Sequence, residues 1–401
     1  MARVLFCNGP QEGHVNPTIG LVQELIKRGE EVVYFTTEEQ REKLEKAGAV
    51  VHTYPNFFKG GIPKGNPHYL HLISLVLQSA LEILPLILEK HEETPFDYVI
   101  YDSMFGAGNL AAKRLNLPSI NSHPGFVMPE GKFEEMLKKR GALAAAEDVK
   151  PLEDKCSKLF QKLNSRFELG LKSYFDLFSD ISQFSIIYTS RYFQPGGDMF
   201  LEDRYKFIGP SIVKRAQTHD FPMEKLKGKE VLFISLGTVF NRAKDFYLQC
   251  IEAFRDKNLL VVMSIGRNVS VEELGEIPAN FIVKQYVPQL EVLEHTRLFL
   301  THGGMNSINE GIYYGVPLLL YPQNADQPAN AYHVEELGAG KRLRQEALSA
   351  DYLRQIADYM LDSYDAFHQK VEAIQHSFKL AGGLQMAADE IAAFKKKNGI
   401  N

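Results

Sequence analysis

LFLTHGGMNSINEGIYYGVPLLLY, residues 298–321, contains an apolar run at 298–300, a glycine turn, a helix-length segment at 305–314 and a second apolar run at 316–321. That order and those lengths make a β-α-β unit, the element from which parallel α/β sheets are built. The same grammar extends upstream, where runs at 231–236 and 260–265 flank a helical pattern at 245–255. It also fills the first part of the chain, with runs at 4–7, 32–36, 50–54 and 98–101 and a charged helical pattern at 38–46. After the first run comes the turn 8–14. Asn16 and Pro17 then read as the N-cap and N1 proline of a helix reaching Lys27 and closed by Gly29. The expected fold is α/β, doubly wound, in two similar domains, 1–213 and 231–380, joined by a charged linker at 214–230 that carries Pro222 and Gly228. A chain of 401 residues has room for both, at roughly 150 residues per domain.

Composition narrows the function. Forty-five Lys and Arg against 50 Asp and Glu leave a net charge of −5, which gives no basic excess to neutralise a nucleic-acid backbone, so no nucleic-acid partner is expected. Three cysteines, Cys7, Cys156 and Cys250, have no C-x-x-C spacing and cannot form a disulfide framework. No apolar leader follows Met1, because Asn8, Gly9 and Pro10 interrupt the first run at once, so a cytoplasmic protein is expected. The apolar stretch 69–88 is broken by His71, Gln78, Glu82 and Pro85. It reads as a buried or pocket-lining helix rather than an integral membrane segment.

Chemistry concentrates in the segment that defines the fold. His302, Gly303 and Gly304 stand between a strand end and a helix start, where backbone N–H groups and the positive dipole end attract an anion such as phosphate. Asn306 and Ser307 add side-chain donors in the first turn. Glu310, four residues beyond Asn306 on the same face, suits the paired hydroxyls of a ribose. Asp326 and Gln327, in the loop after the next strand, suit the hydroxyls of a sugar. A tight glycine turn with a capping side chain accounts for any one of these residues; the ordered set points to a ligand. In the first domain His14 follows the first strand and Asp102 ends the run at 98–101, both at the carboxyl edge of a sheet where ligands bind. An imidazole with a carboxylate behind it is the usual apparatus for removing a hydroxyl proton near neutrality. Alone, each has a plainer reading as a helix-capping residue. His68 and His71 have an i, i+3 spacing but no third ligand nearby, so no metal site is expected.

The segment 286–327 resembles the donor signature of the inverting nucleotide-sugar glycosyltransferases, a family that includes plant secondary-product enzymes and bacterial macrolide and flavonoid enzymes. The resemblance extends to Gly13-His14-Val15-Asn16-Pro17, Phe207-Ile208-Gly209-Pro210 and Ser235-Leu236-Gly237-Thr238. It implies the GT-B architecture, two Rossmann-like domains facing across a cleft, with acceptor on the first, donor on the second and a C-terminal helix, 381–401, returning to the first. It implies that His14 is the general base, supported by Asp102, and that Tyr286 stacks on uracil while Val287 presents its backbone to it. Gly237, Thr238, His302, Gly304, Asn306 and Ser307 would hold the diphosphate, Glu310 the ribose, and Asp326 with Gln327 the transferred sugar, most simply glucose. The UDP-sugar is then a co-substrate, and no cofactor or metal is needed. The acceptor would be a small hydrophobic flavonoid, phenol or macrolide, with Phe57 and Phe126 in its pocket. Plant members carry Trp where this chain has Tyr286, and this chain has no Trp. Two rival readings are a nicotinamide oxidoreductase, using Glu38 or Glu39, and a non-catalytic sugar-nucleotide or glycan binder. Against the first, the turn Gly9-Pro10-Gln11-Glu12-Gly13 is not G-x-G-x-x-G.

Overall fold

A computed structural model describes residues 1–60, 68–142, 149–213, 221–237 and 243–400. The chain divides into two units, one of Met1–Thr189, Gly196–Ser211 and Gly382–Asn401, the other of Ser190–Pro195 and Ile212–Ala381. In chain order the first unit contains β1 (Arg3–Cys7), α1 (Glu12–Lys27), β2 (Glu31–Thr36), α2 (Glu38–Lys46), β3 (Val50–Thr53), α3 (Leu70–Glu93), β4 (Tyr98–Asp102) and α4 (Ala107–Leu115). It continues with β5 (Ser119–His123), α5 (Lys132–Ala142), α6 (Lys150–Phe167), β6 (Phe184–Ile187) and β7 (Tyr205–Phe207). All seven strands are parallel, in the order β3-β2-β1-β4-β5-β6-β7. Strands buried on both faces read as continuous apolar runs, which is why β1, β2 and β4 are plain in the sequence.

Strand alternation decides what each face sees. Phe6 pairs with Tyr34 and Ile100 across the sheet, and Tyr34 bonds to Thr18 of α1 at 2.8 Å, so this set faces α1. Cys7 and Tyr101, one residue on, face the opposite core beneath α3 and α4. The approach of α4 is so close that a Cβ on Gly108 would lie 2.6 Å from that of Tyr101 and 2.9 Å from that of Cys7. Long and apolar enough to cross a bilayer, α3 instead has 67% of its most apolar window buried, packed on α4 and α6.

The start of α1 differs from the expectation. It begins at Glu12, not after Asn16, and Pro17 lies inside the helix. Tertiary hydrogen bonds override the local capping signal: Asn8 Nδ2 donates to the His14 carbonyl at 3.0 Å, Gln40 Nε2 to the Pro10 carbonyl at 2.9 Å, and Tyr54 to the Asn8 carbonyl. Asn16 accepts from Lys43 of α2 at 3.2 Å instead of capping.

The second unit contains β8 (Val231–Ser235), α7 (Lys244–Phe254), β9 (Leu260–Ser264), β10 (Phe281–Lys284), α8 (Gln289–Leu293), β11 (Thr296–Thr301), α9 (Met305–Tyr313), β12 (Leu318–Leu320), α10 (Gln327–Glu336), β13 (Gly340–Arg342), α11 (Ala350–Asp362) and α12 (Tyr364–Leu380). Its six parallel strands run β10-β9-β8-β11-β12-β13. The segment Ser190–Pro195, placed by its sequence in the first domain, goes with this unit, because Phe193 packs edge-on against Phe378 and accepts from His333 at its carbonyl, and Ser190 bonds to Ser377 at 2.7 Å. Of the expected linker, residues 214–220 lie outside the described residues.

The last helix, α13 (Gly383–Lys397), belongs to the first unit and packs on α1. Phe394 meets Tyr98 and Phe184 edge-on at 5.7 and 5.8 Å, and Lys395 reaches the buried Glu30 at 2.9 Å.

Candidate active site

In each sheet the strand order reverses once, between β1 and β4 in the first unit and between β8 and β11 in the second. Such switch points open a crevice at the carboxyl ends of the strands. Both groups of expected site residues lie there.

In the first unit Asp102, the last residue of β4, shares the face of Ile100 and Phe6 and so projects toward α1. His14, in the first turn of α1, meets it: Nδ1 to Oδ2 is 2.6 Å. The carboxylate is buried, with 1% of its side chain exposed, while the imidazole keeps 25%. The other carboxylate oxygen, Oδ1, accepts from the Met104 backbone N–H at 2.8 Å. Because α4 starts at Ala107 behind Gly106, Asp102 is not its N-cap. A carboxylate only accepts, so in this pair Nδ1 is the donor.

In the second unit His302 follows β11, and its ring is sandwiched between two glycines. A Cβ on Gly304 would lie 2.5 Å from Nε2, and one on Gly237, which has φ +70°, would lie 2.6 Å from Cε1. Gly304 is the N-cap of α9 and brings no side-chain cap to its N–H groups. Burial pushes the His302 imidazole down to about 4, against the opposite pulls of Asp326 and the Ser235 backbone. Asn306 and the buried Ser307 lie in the first turn of α9. Thr238 lies outside the described residues.

Glu310 is 2% exposed and accepts from Gln289 Nε2 at 2.5 Å, which ties α9 to the loop bearing Tyr286 and Val287. Val287 is buried and Tyr286 half-buried. The Asp326 carboxylate, at the exposed start of α10, accepts from Asn330 Nδ2 at 2.6 Å, and Asn330 also donates to the Gly303 carbonyl at 3.1 Å. Gln327 differs from the expectation of an outward sugar ligand. It is buried, and its Oε1 accepts from the backbone of Gln323 and Asn324 at 2.9 and 3.2 Å, so that oxygen organises its own loop. Within this loop Ala325 holds φ +58°, a left-handed conformation that a non-glycine residue rarely adopts. Gln289 and Asn330 were not singled out from the sequence. Gln289 stands inside the donor-like segment, and Asn330 is one helical turn from Asp326, which is the signal each carried.

The two acceptor candidates fall in different packing environments. Phe57 packs against the core beneath α3, whereas Phe126 precedes Val127, which joins Ile187, Phe200 and Phe207 in a separate cluster. Among the described residues no three His, Cys, Asp or Glu side chains gather as a metal site would need.

Comparison with known proteins gives this geometry its context. Residues 204–371 match the model of the "UDP-glucoronosyl and UDP-glucosyl transferase" family. Over 404 residues the chain is 39% identical to "Uncharacterized UDP-glucosyltransferase YojK" of Bacillus subtilis, covering 99% of this chain and 98% of that protein. The chain belongs to the UDP-glycosyltransferase family. This glycosyltransferase is also 37% identical to "NDP-glycosyltransferase YjiC" of Bacillus subtilis, with 99% and 98% of the two chains covered. Among solved structures it is similar to CalG4, the calicheamicin glycosyltransferase, with a TM-score of 0.82, 31% identity and 99% and 98% coverage. Its fold is of the GT-B class, built from two parallel-sheet α/β domains.

Proposed function

We propose that this glycosyltransferase moves a sugar, most simply glucose, from a UDP-sugar to a hydroxyl of a small hydrophobic natural product, with inversion and without a metal. The observation that carries the reading is the 2.6 Å contact between His14 and Asp102. Neutral His14 accepts the acceptor proton at Nε2 while Asp102 holds Nδ1–H and stabilises the imidazolium as it forms. The acceptor oxygen forms a bond to the anomeric carbon from the face opposite the diphosphate, and the bond from that carbon to the diphosphate oxygen breaks. UDP takes the electron pair, and the proton passes from His14 to solvent.

The second unit supplies the counter-charge. His302, taking up a proton as the anion binds, donates a ring N–H to the diphosphate, joined by Gly304, Asn306, Ser307 and the N-terminus of α9; the dipole alone contributes roughly 0.3–2 kcal/mol. Glu310, oriented by Gln289, takes the ribose hydroxyls, Tyr286 and Val287 the uracil, and Asp326 with the amide end of Gln327 the sugar. The calicheamicin glycosyltransferase, named for a natural product, supports an acceptor of that class. Three buried free cysteines suit a reducing, cytoplasmic setting.

The experiment is UDP release from UDP-glucose against a panel of phenols, flavonoids and macrolides, with products weighed by mass spectrometry and with chelator present or absent. Turnover that survives chelation supports the reading. Strict dependence on added Mn²⁺ or Mg²⁺, or UDP release with no glycosylated product from any acceptor, contradicts it.

A further inference from the structure

Strands β9 and β10 are parallel neighbours in register, Ser264 opposite Lys284. Their pairing continues past the strand ends, because Ile265 N–H donates to the Lys284 carbonyl at 3.0 Å and Gly266 N–H to the Gln285 carbonyl at 2.9 Å. The next residue on each chain is Arg267 on one and Tyr286 on the other. The register therefore sets a guanidinium beside the phenol ring, at 5.3 Å from its centroid. Arg267 is exposed, and among the described residues it has no carboxylate partner and no hydrogen bond. A planar, weakly hydrated cation with five donors stacks on an aromatic face and still has donors to give.

We infer that Arg267 determines the donor's base, holding the Tyr286 ring in its plane and favouring a base whose rim carries carbonyl acceptors. The inference rests on the reading of the second unit as a UDP-sugar site. A phenol offers less stacking area than an indole, so the adjoining cation matters more here than it would beside Trp. Uracil presents two carbonyl oxygens at its rim; cytosine replaces one of them with an amine donor, which a donor-only guanidinium cannot accept from.

Calorimetric titration of the full chain with UDP, CDP and inorganic pyrophosphate tests this in the wild type and in Arg267→Met, Arg267→Lys and Tyr286→Leu. Arg267→Met should weaken UDP by about 2–5-fold through loss of the cation–π contact. It should weaken UDP, but not CDP, by about a further tenfold or more through loss of the charged hydrogen bond to the base rim, reducing the preference for UDP over CDP by that factor, and leave pyrophosphate unchanged. Arg267→Lys should restore part of the UDP affinity, and the Arg267→Met effect should shrink in the Tyr286→Leu background. Unchanged UDP and CDP affinities overturn the inference, as does an equal loss for UDP, CDP and pyrophosphate, which would make Arg267 a general phosphate attractor. If the wild type binds pyrophosphate as tightly as UDP, the UDP-sugar reading itself fails.

Discussion

Held neutral by burial, His302 makes the second unit sensitive to mild acid. Its folded pKa, about 4, lies below the ordinary 6.5. Between those values the unfolded chain binds a proton that the native chain does not, so stability falls as pH drops through 6.5 toward 4. On the proposed reading, a diphosphate bound at this ring would reverse the preference by favouring the imidazolium. UDP-glucose, whose diphosphate does not titrate in this range, should therefore bind with proton uptake near pH 5.5–6. Calorimetry in buffers of different ionisation enthalpy measures that uptake; its absence, or its survival in His302→Gln, contradicts the role. Gly304 tests the same ring sterically. Its φ of −66° suits any residue, so Gly304→Ala should fold normally. The new Cβ, 2.5 Å from Nε2, displaces the imidazole. Donor affinity should fall about tenfold or more, the scale of a lost charged hydrogen bond, with the melting temperature little changed. Unchanged affinity would remove His302 from the diphosphate site.

At the scale of elements, legibility follows what each strand buries. β1, β2, β4, β8 and β11 are apolar on both faces and were plain from the sequence. β5 was not, since its Ser119, Asn121 and Ser122 are buried polar residues, and Asn121 Nδ2 contacts His123 Nε2 at 3.1 Å while Ser122 bonds to Tyr188 at 3.1 Å. β6 likewise satisfies Ser185 through Asp180 at 2.7 Å. Polar residues that find partners only in the folded sheet carry no signal along the chain. The start of α1 was misplaced for the same reason, because Asn8, Gln40 and Tyr54 decide it from elsewhere in the fold. The donor-like part of the candidate site was legible in the sequence because residues 302–310 are contiguous and their turn of helix is local. Gln289, Asn330 and Arg267 meet Glu310, the Gly303 carbonyl and Tyr286 across element boundaries, contacts that follow from the packing of the sheet and its helices more than from spacing along the chain.

At the scale of the whole molecule, α13 fastens the chain's end to the first unit through Lys395. The partner, Glu30, is 7% exposed and also accepts from Tyr98. Lys395→Met strands a buried carboxylate and should cost about 3–5 kcal/mol by thermal or denaturant unfolding; adding Glu30→Gln should return part of it. A loss under about 1 kcal/mol would mean the pair behaves as an exposed one. The central claim, a sugar transferred by a base in the first unit from a donor held in the second, is tested most directly by measuring turnover and donor affinity together in His14→Ala. UDP release in the presence of acceptor should fall by about 10²–10⁴-fold, the usual cost of removing a general base, while calorimetry finds the dissociation constant of UDP-glucose unchanged. Retained turnover, or a parallel loss of turnover and donor affinity, would contradict it.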